Sequence, residues 1–271
     1  MRVVFRALSV LVLAVGVLLL GRLSTSHADV PRADHSGGVK VLVDGADPTF
    51  RPISFQNASG QLVGFDVDFA KAIAKKMGIK LNYQGVNWDG IIPSLDAGKI
   101  NTITDMNITP ARQQQVNFTR PYFNQYITTV VLASRKGFNP GLSDLKGLKL
   151  GVQSSTSASA LLATIPGLNV TQYNTVVDEY NDLVLGRLDA VVVESVNGGY
   201  TVTHQYKSKL RMTNKVLNST PVLSAAVVKK GNTKLLKAEN WAISQIEKDG
   251  TLTKIVKKWF GNLKYKPPTQ S

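Results

Sequence analysis

The sequence predicts an α/β protein built from two similar units, and three observations indicate this. Short β-branched runs alternate with amphipathic helical stretches, the same order starts again near residue 148, and an apolar strand follows Pro221 after the second series. Such alternation is typical of a mostly parallel sheet covered by helices. Two strands that cross between two lobes would form a hinge with a cleft beside it.

The first unit begins with a β-branched run at 39–43, which predicts a buried strand. Asp66 is the predicted N-cap of a helix that keeps its apolar residues on one face and ends before Gly78. The stretch at 126–133 is long enough to pass between two bodies. Further elements are expected as strands at 80–83 and 100–104 and a helix at 88–97.

The second unit repeats this order, and the chain then returns to the first. Its strands are predicted at 148–152, 170–173 and 189–193, its helices at 157–163, 177–185 and 197–204, and the returning elements at 222–228, 233–247 and 252–259. The expected organisation is a signal at 1–28, a flexible N-terminus at 29–38, lobe 1 at 39–128 and 223–262, lobe 2 at 129–222, and a C-terminal tail at 263–271.

The first 28 residues predict an export signal. Two arginines precede a nearly unbroken apolar run at 8–20, and Ser26 and Ala28 supply the small residues that a signal peptidase requires. A membrane anchor is the alternative, but the run is shorter than the roughly 20 residues that span a bilayer. We therefore expect cleavage near Ala28.

The composition narrows the function classes. The chain has no cysteine, which excludes disulfide bonds and thiolate chemistry. Its formal net charge is +14, and loss of the three arginines in residues 1–28 lowers this charge to +11. A basic balance can indicate nucleic acid or anionic lipid partners. Export argues against nucleic acid, and lysines spread along helical segments favour solvated helix faces.

Motifs for catalysis and cofactor binding are missing from the sequence. Of the three histidines, only His204 lies in the predicted folded part, so a Ser-His-Asp triad or a His-rich metal site lacks its parts. Neither glycine-rich nucleotide-binding motif occurs. We therefore expect no catalytic residue, no metal and no cofactor. The remaining carboxylates, one arginine, hydroxyl groups and aromatic residues suit the binding of a zwitterion.

Five segments carry a family resemblance when they are taken in order. They are GFDVDFA at 64–70 with VNWDGIIPSL at 86–95, DMNITPAR at 105–112 with VNFTRPY at 116–122, LKGLKLGVQ at 145–153, GRLDAVVVE at 186–194, and the C-terminal helix at 250–261. Together they resemble the family 3 extracellular solute-binding proteins, the periplasmic polar amino acid receptors of ABC transporters. The resemblance implies a two-lobed periplasmic-binding-protein type II fold, with two Rossmann-like lobes joined by a two-strand hinge.

The resemblance also implies a function. The protein would capture a polar amino acid in the periplasm by lobe closure and deliver it, as a monomer, to an ABC membrane permease. Two alternatives stay open. One is a cyclohexadienyl or arogenate dehydratase-like enzyme on the same fold, in which Glu194 acts as a general acid. The other is a chemosensory binding protein that presents its ligand to a receptor.

Matches to the family imply a ligand site that draws on both lobes. Arg112 would grip the α-carboxylate with its planar fork, which lysine cannot reproduce. Thr156 would add its hydroxyl and N–H from a helix start, and Glu194, where aspartate is usual, would bind the ammonium. Asn107, where serine is usual, would support the carboxylate, and Ser155 stands where glycine is usual. A surface role is the alternative for Arg112 and for Glu194.

The side chain of the ligand would meet aromatic and acidic residues. Asp47 and Phe50 match the first-loop pair of the family, and Phe50 and Trp88 would sandwich the ligand side chain. Core packing is the alternative for both aromatic residues. With Asp105 and Glu194, Asp47 would make an acidic pocket that favours lysine, arginine, ornithine or histidine.

The segment around residue 106 supplies the remaining candidates. Asp105 would offer its backbone carbonyl to the ammonium, or would instead be tied up by local backbone bonds. Met106 lies beside it in the matched segment and is assigned to the site. Thr109 is expected to cap the short helix that carries Arg112.

Overall fold

A computed structural model describes residues 34–261. The predicted signal and the predicted tail at 263–271 lie outside these residues. The described chain forms two α/β lobes, each with its own sheet and its own buried cores, and a small three-stranded sheet belongs to the first. This is the two-lobed type II fold that the sequence predicted.

The described residues contain fourteen strands. In chain order they are β1 (Val41–Ala46), β2 (Thr49–Phe50), β3 (Ser54–Gln56), β4 (Leu62–Val63), β5 (Lys80–Gly85), β6 (Thr102–Asn107), β7 (Val116–Phe118), β8 (Phe123–Gln125), β9 (Ile127–Leu132), β10 (Lys149–Gln153), β11 (Asn169–Tyr173), β12 (Ala190–Glu194), β13 (Leu210–Val216) and β14 (Val222–Lys229).

Eight α-helices accompany these strands, and short 3₁₀ turns lie at Trp88–Gly90 and Leu142–Asp144. None of the helices among these residues is long and apolar enough to cross a lipid bilayer. They are α1 (Phe65–Met77), α2 (Ile91–Asp96), α3 (Pro110–Gln115), α4 (Ser157–Ala163), α5 (Val176–Val184), α6 (Ser195–His204), α7 (Thr233–Lys248) and α8 (Thr251–Phe260).

The sheets are mixed, whereas the alternation of elements predicted mostly parallel ones. In lobe 1 the order is β5-β1-β6-β14-β7, with β8 also on β14. Strand β1 runs parallel to β5 and β6, but β14 runs antiparallel to β6, β7 and β8. In lobe 2 the order is β11-β10-β12-β9-β13, and β9 runs antiparallel to both neighbours. The strands that follow the two crossings, β9 in lobe 2 and β14 in lobe 1, therefore run antiparallel to their neighbours.

The chain crosses between the lobes twice, and both crossings are short. Strand β8 ends at Gln125 in the first sheet, and β9 begins at Ile127 in the second, so Tyr126 alone lies between them. The return falls between β13 and β14, at residues 217–221. The long strand expected at 126–133 thus belongs to lobe 2, and the crossing precedes it.

The prediction that Asp66 caps the first helix is wrong. The N-cap is Gly64, with a φ of 144°. The first helical N–H groups donate instead to backbone carbonyls, Phe65 to Pro52 and Asp66 to Ile53, each at 3.0 Å. A Cβ at residue 64 would lie 2.1 Å from the Ile53 oxygen, so this close approach requires glycine. The Asp66 carboxyl is therefore released from capping and is buried.

The start of the described chain lies against α7, although residues 29–38 were expected to be flexible. The His35 ring stacks on Trp241 with 3.4 Å between ring centroids. A Cβ added to Gly37 would lie 2.9 Å from the Leu235 α-carbon. Residues 34–38 are therefore packed on lobe 1.

Candidate functional site

A cavity lies between the two lobes, and about 480 Å³ of space there, including solvent at its open side, is not filled by protein atoms. Its lining residues come from loops and strand ends that face each other across the cleft, so a molecule held there would contact both lobes. Lobe 1 contributes Ala46, Asp47, Phe50, Ile53, Ser54, Asp66, Trp88, Asp105, Asn107 and Gln125, and lobe 2 contributes Gln153, Thr156, Ser157 and Glu194.

The structure brings seven of the ten predicted site residues to this cavity. They are Asp47, Phe50, Trp88, Asp105, Asn107, Thr156 and Glu194. The other three, Met106, Arg112 and Ser155, line a second pocket that shares Trp88 and Thr156 with the first. The two spaces therefore adjoin, although Met106 itself is buried in a lobe 1 core.

Arg112 links the two lobes. Its backbone N–H donates to the Thr109 hydroxyl, which caps α3 as expected. The guanidinium Nη1 donates to the Asn107 carbonyl at 2.8 Å, and Nη2 donates to the Ser155 carbonyl at 2.6 Å. The group also lies 5.2 Å from the centre of the Trp88 ring. Burial lowers the pKa of Arg112, and Glu194 and Asp105 oppose this change.

Glu194 ends β12 and faces lobe 1. Its Oε1 accepts a hydrogen bond from Asn107 Nδ2 at 3.2 Å, and the residue is 2% exposed. The side-chain oxygen of Asn107, Oδ1, accepts a hydrogen bond from the Ser224 hydroxyl at 2.8 Å. Burial raises the pKa of Glu194, and the positive charge of Arg112 counteracts this effect. The buried guanidinium and the buried carboxyl thus come from opposite lobes.

Thr156 differs from its expected role. Its hydroxyl donates to the Gln153 carbonyl at 2.9 Å and accepts from the Ser159 N–H at 3.1 Å. Its own N–H donates to the Ser159 hydroxyl at 3.0 Å. These bonds form the N-cap of α4, so the groups expected to hold a carboxylate bond to the protein instead.

Ser155 adopts a backbone geometry that favours glycine. Its φ of 57° lies in the left-handed region, which agrees with the glycine usual at this place. The conformation directs the Ser155 carbonyl to lobe 1, where it accepts from Arg112 and from Trp88 Nε1, the latter at 3.1 Å. A residue of lobe 2 therefore binds two lobe 1 side chains through its backbone.

The neighbouring residues of this loop also join the lobes. Gln153 Nε2 donates to Asp47 Oδ2 at 2.7 Å. The Ser154 hydroxyl lies 3.0 and 2.8 Å from the two carboxylate oxygens of Asp89. We call residues 153–155 the closing loop, because each of its three residues bonds to lobe 1.

The predicted aromatic residues have a double role. Phe50 packs against buried cores of both lobes, and Trp88 packs against a lobe 1 core. Both also line the cavity. Each of these side chains therefore packs against a core and lines the cavity at the same time.

Five polar lining residues were not predicted. They are Ser54, Asp66, Gln125, Gln153 and Ser157. Asp66 and Gln153 lie inside the matched segments, so the motifs could have indicated them, but Asp66 was assigned to a helix cap. Ser54 and Gln125 lie in short strands with no pattern that marks them as site residues.

The charge distribution of the site is unbalanced. Asp47, Asp66, Asp105 and Glu194 line the cavity, whereas Arg112 in the adjoining pocket is the one buried arginine among residues 34–261. Burial and the charges of Asp105 and Asp44 raise the pKa of Asp66 well above its usual value. Burial raises the pKa of Asp105 to about 6, although the Ser224 hydroxyl and Arg112 oppose it. In the described part of the chain, no group of three histidine, cysteine or acidic residues is arranged to hold a metal ion.

A cavity between two hinged α/β lobes, with an arginine and an acid supplied from opposite sides, defines a two-lobed solute-binding protein. The chain belongs to the bacterial extracellular solute-binding proteins, family 3, whose sequence profile matches residues 42–262.

Two named relatives and one solved structure are similar to this chain over most of their own length. The L-cystine-binding protein TcyJ of Escherichia coli is 34% identical over 223 residues, which cover 82% of this chain and 83% of that protein. The L-arginine-binding protein of Pseudomonas aeruginosa is 33% identical, covering 89% of this chain and 95% of its own. An ancestral arginine-binding protein bound to arginine superposes with a TM-score of 0.77 at 35% identity, over 82% of this chain and 99% of its own.

Proposed function

We propose that the protein captures a polar amino acid outside the cytoplasm and delivers it to the membrane permease of an ABC importer. The observation that carries this proposal is the cavity between the lobes, which Glu194 lines from lobe 2, with Arg112 of lobe 1 buried beside it in the adjoining pocket. A guanidinium suits an α-carboxylate, and a carboxylate suits an α-ammonium. The two groups would therefore hold the two poles of one zwitterion.

The proposed mechanism is lobe closure. Lobe 1 supplies ten of the fourteen cavity residues, so the ligand would dock there first. Lobe 2 would then bring Glu194 and the closing loop. A ligand shifts such an equilibrium only through stronger binding to the closed state, and contacts to both lobes supply that difference. The closed shape would be what the permease recognises.

The ligand we propose is cationic as well as polar. Asp47, Asp66, Asp105 and Glu194 all line the cavity. Arg112, in the adjoining pocket, is the buried cation of the described residues that faces them. The names of two relatives, which bind arginine and cystine, agree with an amino acid ligand and differ on its charge.

A thermal-shift screen of the twenty amino acids tests the proposal. A ligand present at about 100 times its Kd should add about 2.7 kcal/mol of stability, which a melting curve resolves. Stabilisation by one amino acid or a small group of them supports the proposal. Unchanged melting with every amino acid, at millimolar concentration, would contradict it.

An enzyme on the same fold is the second candidate. The observation that favours it is Glu194, a cavity carboxyl whose pKa is raised by burial, which favours its protonated form. Incubation of the purified protein with prephenate or arogenate, followed by detection of the aromatic product, separates the two candidates. Product formation that disappears in Glu194→Gln would favour the enzyme.

A further inference from the structure

Several hydrogen-bond acceptors of the cavity have no donor. Asp66 Oδ1, Asp105 Oδ1 and Gln125 Oε1 are buried atoms without a hydrogen-bond partner among the described residues, and all three residues line the cavity. Asp66 is 2% exposed and Gln125 is 4% exposed. An unsatisfied buried acceptor costs about 1–3 kcal/mol. A group with several N–H donors would remove that cost, whereas another carboxylate would add to it.

Asp105 lies at the centre of the charged groups of the site. Its charge raises the pKa of Asp66 of α1 and of Glu194 of β12, which comes from lobe 2. Arg112 of α3 and the Ser224 hydroxyl of β14 favour its ionised form. The single guanidinium is thus shared between Asp105 and Glu194.

Further titratable groups lie behind this shell. Asp44 of β1 raises the pKa of Asp66, and the phenol groups of Tyr83 and Tyr122 have raised pKa values because of burial and these same acids. Asp44 is fully buried, and burial raises its pKa to about 7 even though it accepts from the Thr104 N–H at 3.1 Å. The acids therefore continue from the cavity into the interior of lobe 1.

This geometry points to a proton-exchange site. We infer that Asp105 carries a proton at acidic pH and releases it to the solvent when an amino acid with a cationic side chain binds beside it. The positive charge of the ligand side chain then replaces the proton of Asp105, so the net charge of the site around the buried acids stays the same. The inference rests on the proposed function and narrows its ligand to amino acids with a cationic side chain.

The sign of the pH dependence follows from Asp105. Its pKa of about 6 means that the carboxyl is mostly neutral near pH 5 and mostly ionised near pH 7.5. A cationic side chain binds the ionised form, so affinity should rise about tenfold between about pH 5 and pH 7.5 and then level off. A neutral amino acid lacks this contact. Both ligands carry the same α-ammonium, so any titration of Glu194 affects them equally.

Calorimetric titration of the purified protein with arginine and with glutamine tests the inference. The ratio of the two affinities is measured near pH 5, 6 and 7.5, each in two buffers of different ionisation enthalpy. We expect the arginine preference to grow about tenfold over this range. Near pH 5 arginine should release most of one proton, and glutamine should release none.

Two matched variants locate the proton. Asp105→Asn keeps the shape of the side chain and should abolish both the proton release and the growth of the arginine preference, while both ligands still bind. Glu239→Gln removes a fully buried carboxyl that does not line the cavity. It should retain both effects.

Other results would overturn the inference. A constant affinity ratio in the unmodified protein would do so, as would proton release that persists in Asp105→Asn. Binding of glutamine without arginine would overturn the inference and the proposed cationic ligand, whereas the proposed capture of a polar amino acid would stand. If no amino acid gives a binding signal, the proposed function itself fails, and the inference fails with it.

Discussion

The two walls of the cavity differ in how their polar groups are used. On the lobe 1 wall, buried oxygens of Asp66, Asp105 and Gln125 have no partner. On the lobe 2 wall, Gln153 bonds to Asp47 and Thr156 bonds to its own helix start. Lobe 1 therefore has free acceptors in the cavity, whereas Gln153 and Thr156 of lobe 2 already bond to protein groups. Glu194 and the Ser157 hydroxyl, which has no hydrogen-bond partner among the described residues, are the other polar groups of the lobe 2 wall.

The largest expected effect comes from Arg112, which serves both walls. Arg112→Ala removes the proposed carboxylate contact and the bond to the Ser155 carbonyl. Loss of one partner of a buried charged pair costs about 2–5 kcal/mol, so we expect amino acid affinity to fall about 100-fold or more. Calorimetry measures the affinity, and circular dichroism checks that the variant folds. Arg112→Lys should restore little, because lysine lacks the planar fork.

The next effect concerns the acids behind the lobe 1 wall. The pKa of Asp44 is raised to about 7, so between its ordinary value and pH 7 the folded state binds more protons than the unfolded state. Stability therefore falls as pH rises through this window. Asp44→Asn should remove this loss. Its free energy of unfolding, relative to that of the unmodified protein, should therefore increase by about 2–3 kcal/mol from about pH 5 to pH 8. Urea unfolding at both pH values measures the gain.

Asp249→Asn provides a control of opposite sign. Asp249 is an exposed acid whose pKa is lowered by hydrogen bonds from Lys76 and Thr251, so its ionised form is the one that stabilises the fold. Its replacement should not improve stability at higher pH. If Asp44→Asn also shows no gain relative to the unmodified protein, the buried acids are not the source of the pH dependence.

The smallest expected effect tests lobe 2. Thr156→Ala removes an N-cap, which costs about 1 kcal/mol of stability. Because the Thr156 hydroxyl bonds to the protein, affinity for the amino acid should change much less than in Arg112→Ala. Melting curves and calorimetry of the same sample separate the two quantities. A loss of affinity as large as that of Arg112→Ala would show that Thr156 turns toward the ligand.

The long elements could be predicted from the sequence, because helix and strand periods repeat over many residues. The helix predicted at 157–163 occurs as α4 with the same limits. Strands β2, β4, β7 and β8 are only two or three residues long, too short for an alternating pattern. The antiparallel direction of β9 and β14 depends on how the chain crosses between lobes, and the periodicity does not contain that information.

The candidate site could be predicted only where it coincides with a motif. Asn107 and Glu194 lie in matched segments, Asp47 matches the first-loop pair of the family, and all three line the cavity. The burial of Asp66 depends on the contact of Gly64 with the backbone of Ile53, and the bond between Gln153 and Asp47 joins residues 106 positions apart. Such relations appear only when both lobes are folded.

The proposed binding mode depends on Arg112 holding the carboxylate pole of an amino acid. It is tested most directly by comparing the amino acid that binds most tightly with its decarboxylated analogue, on the unmodified protein and on Arg112→Ala. We expect the unmodified protein to prefer the amino acid strongly and the variant to bind both compounds with similar weak affinity. A variant that keeps the full preference would exclude this role of Arg112, because another group would then be holding the carboxylate.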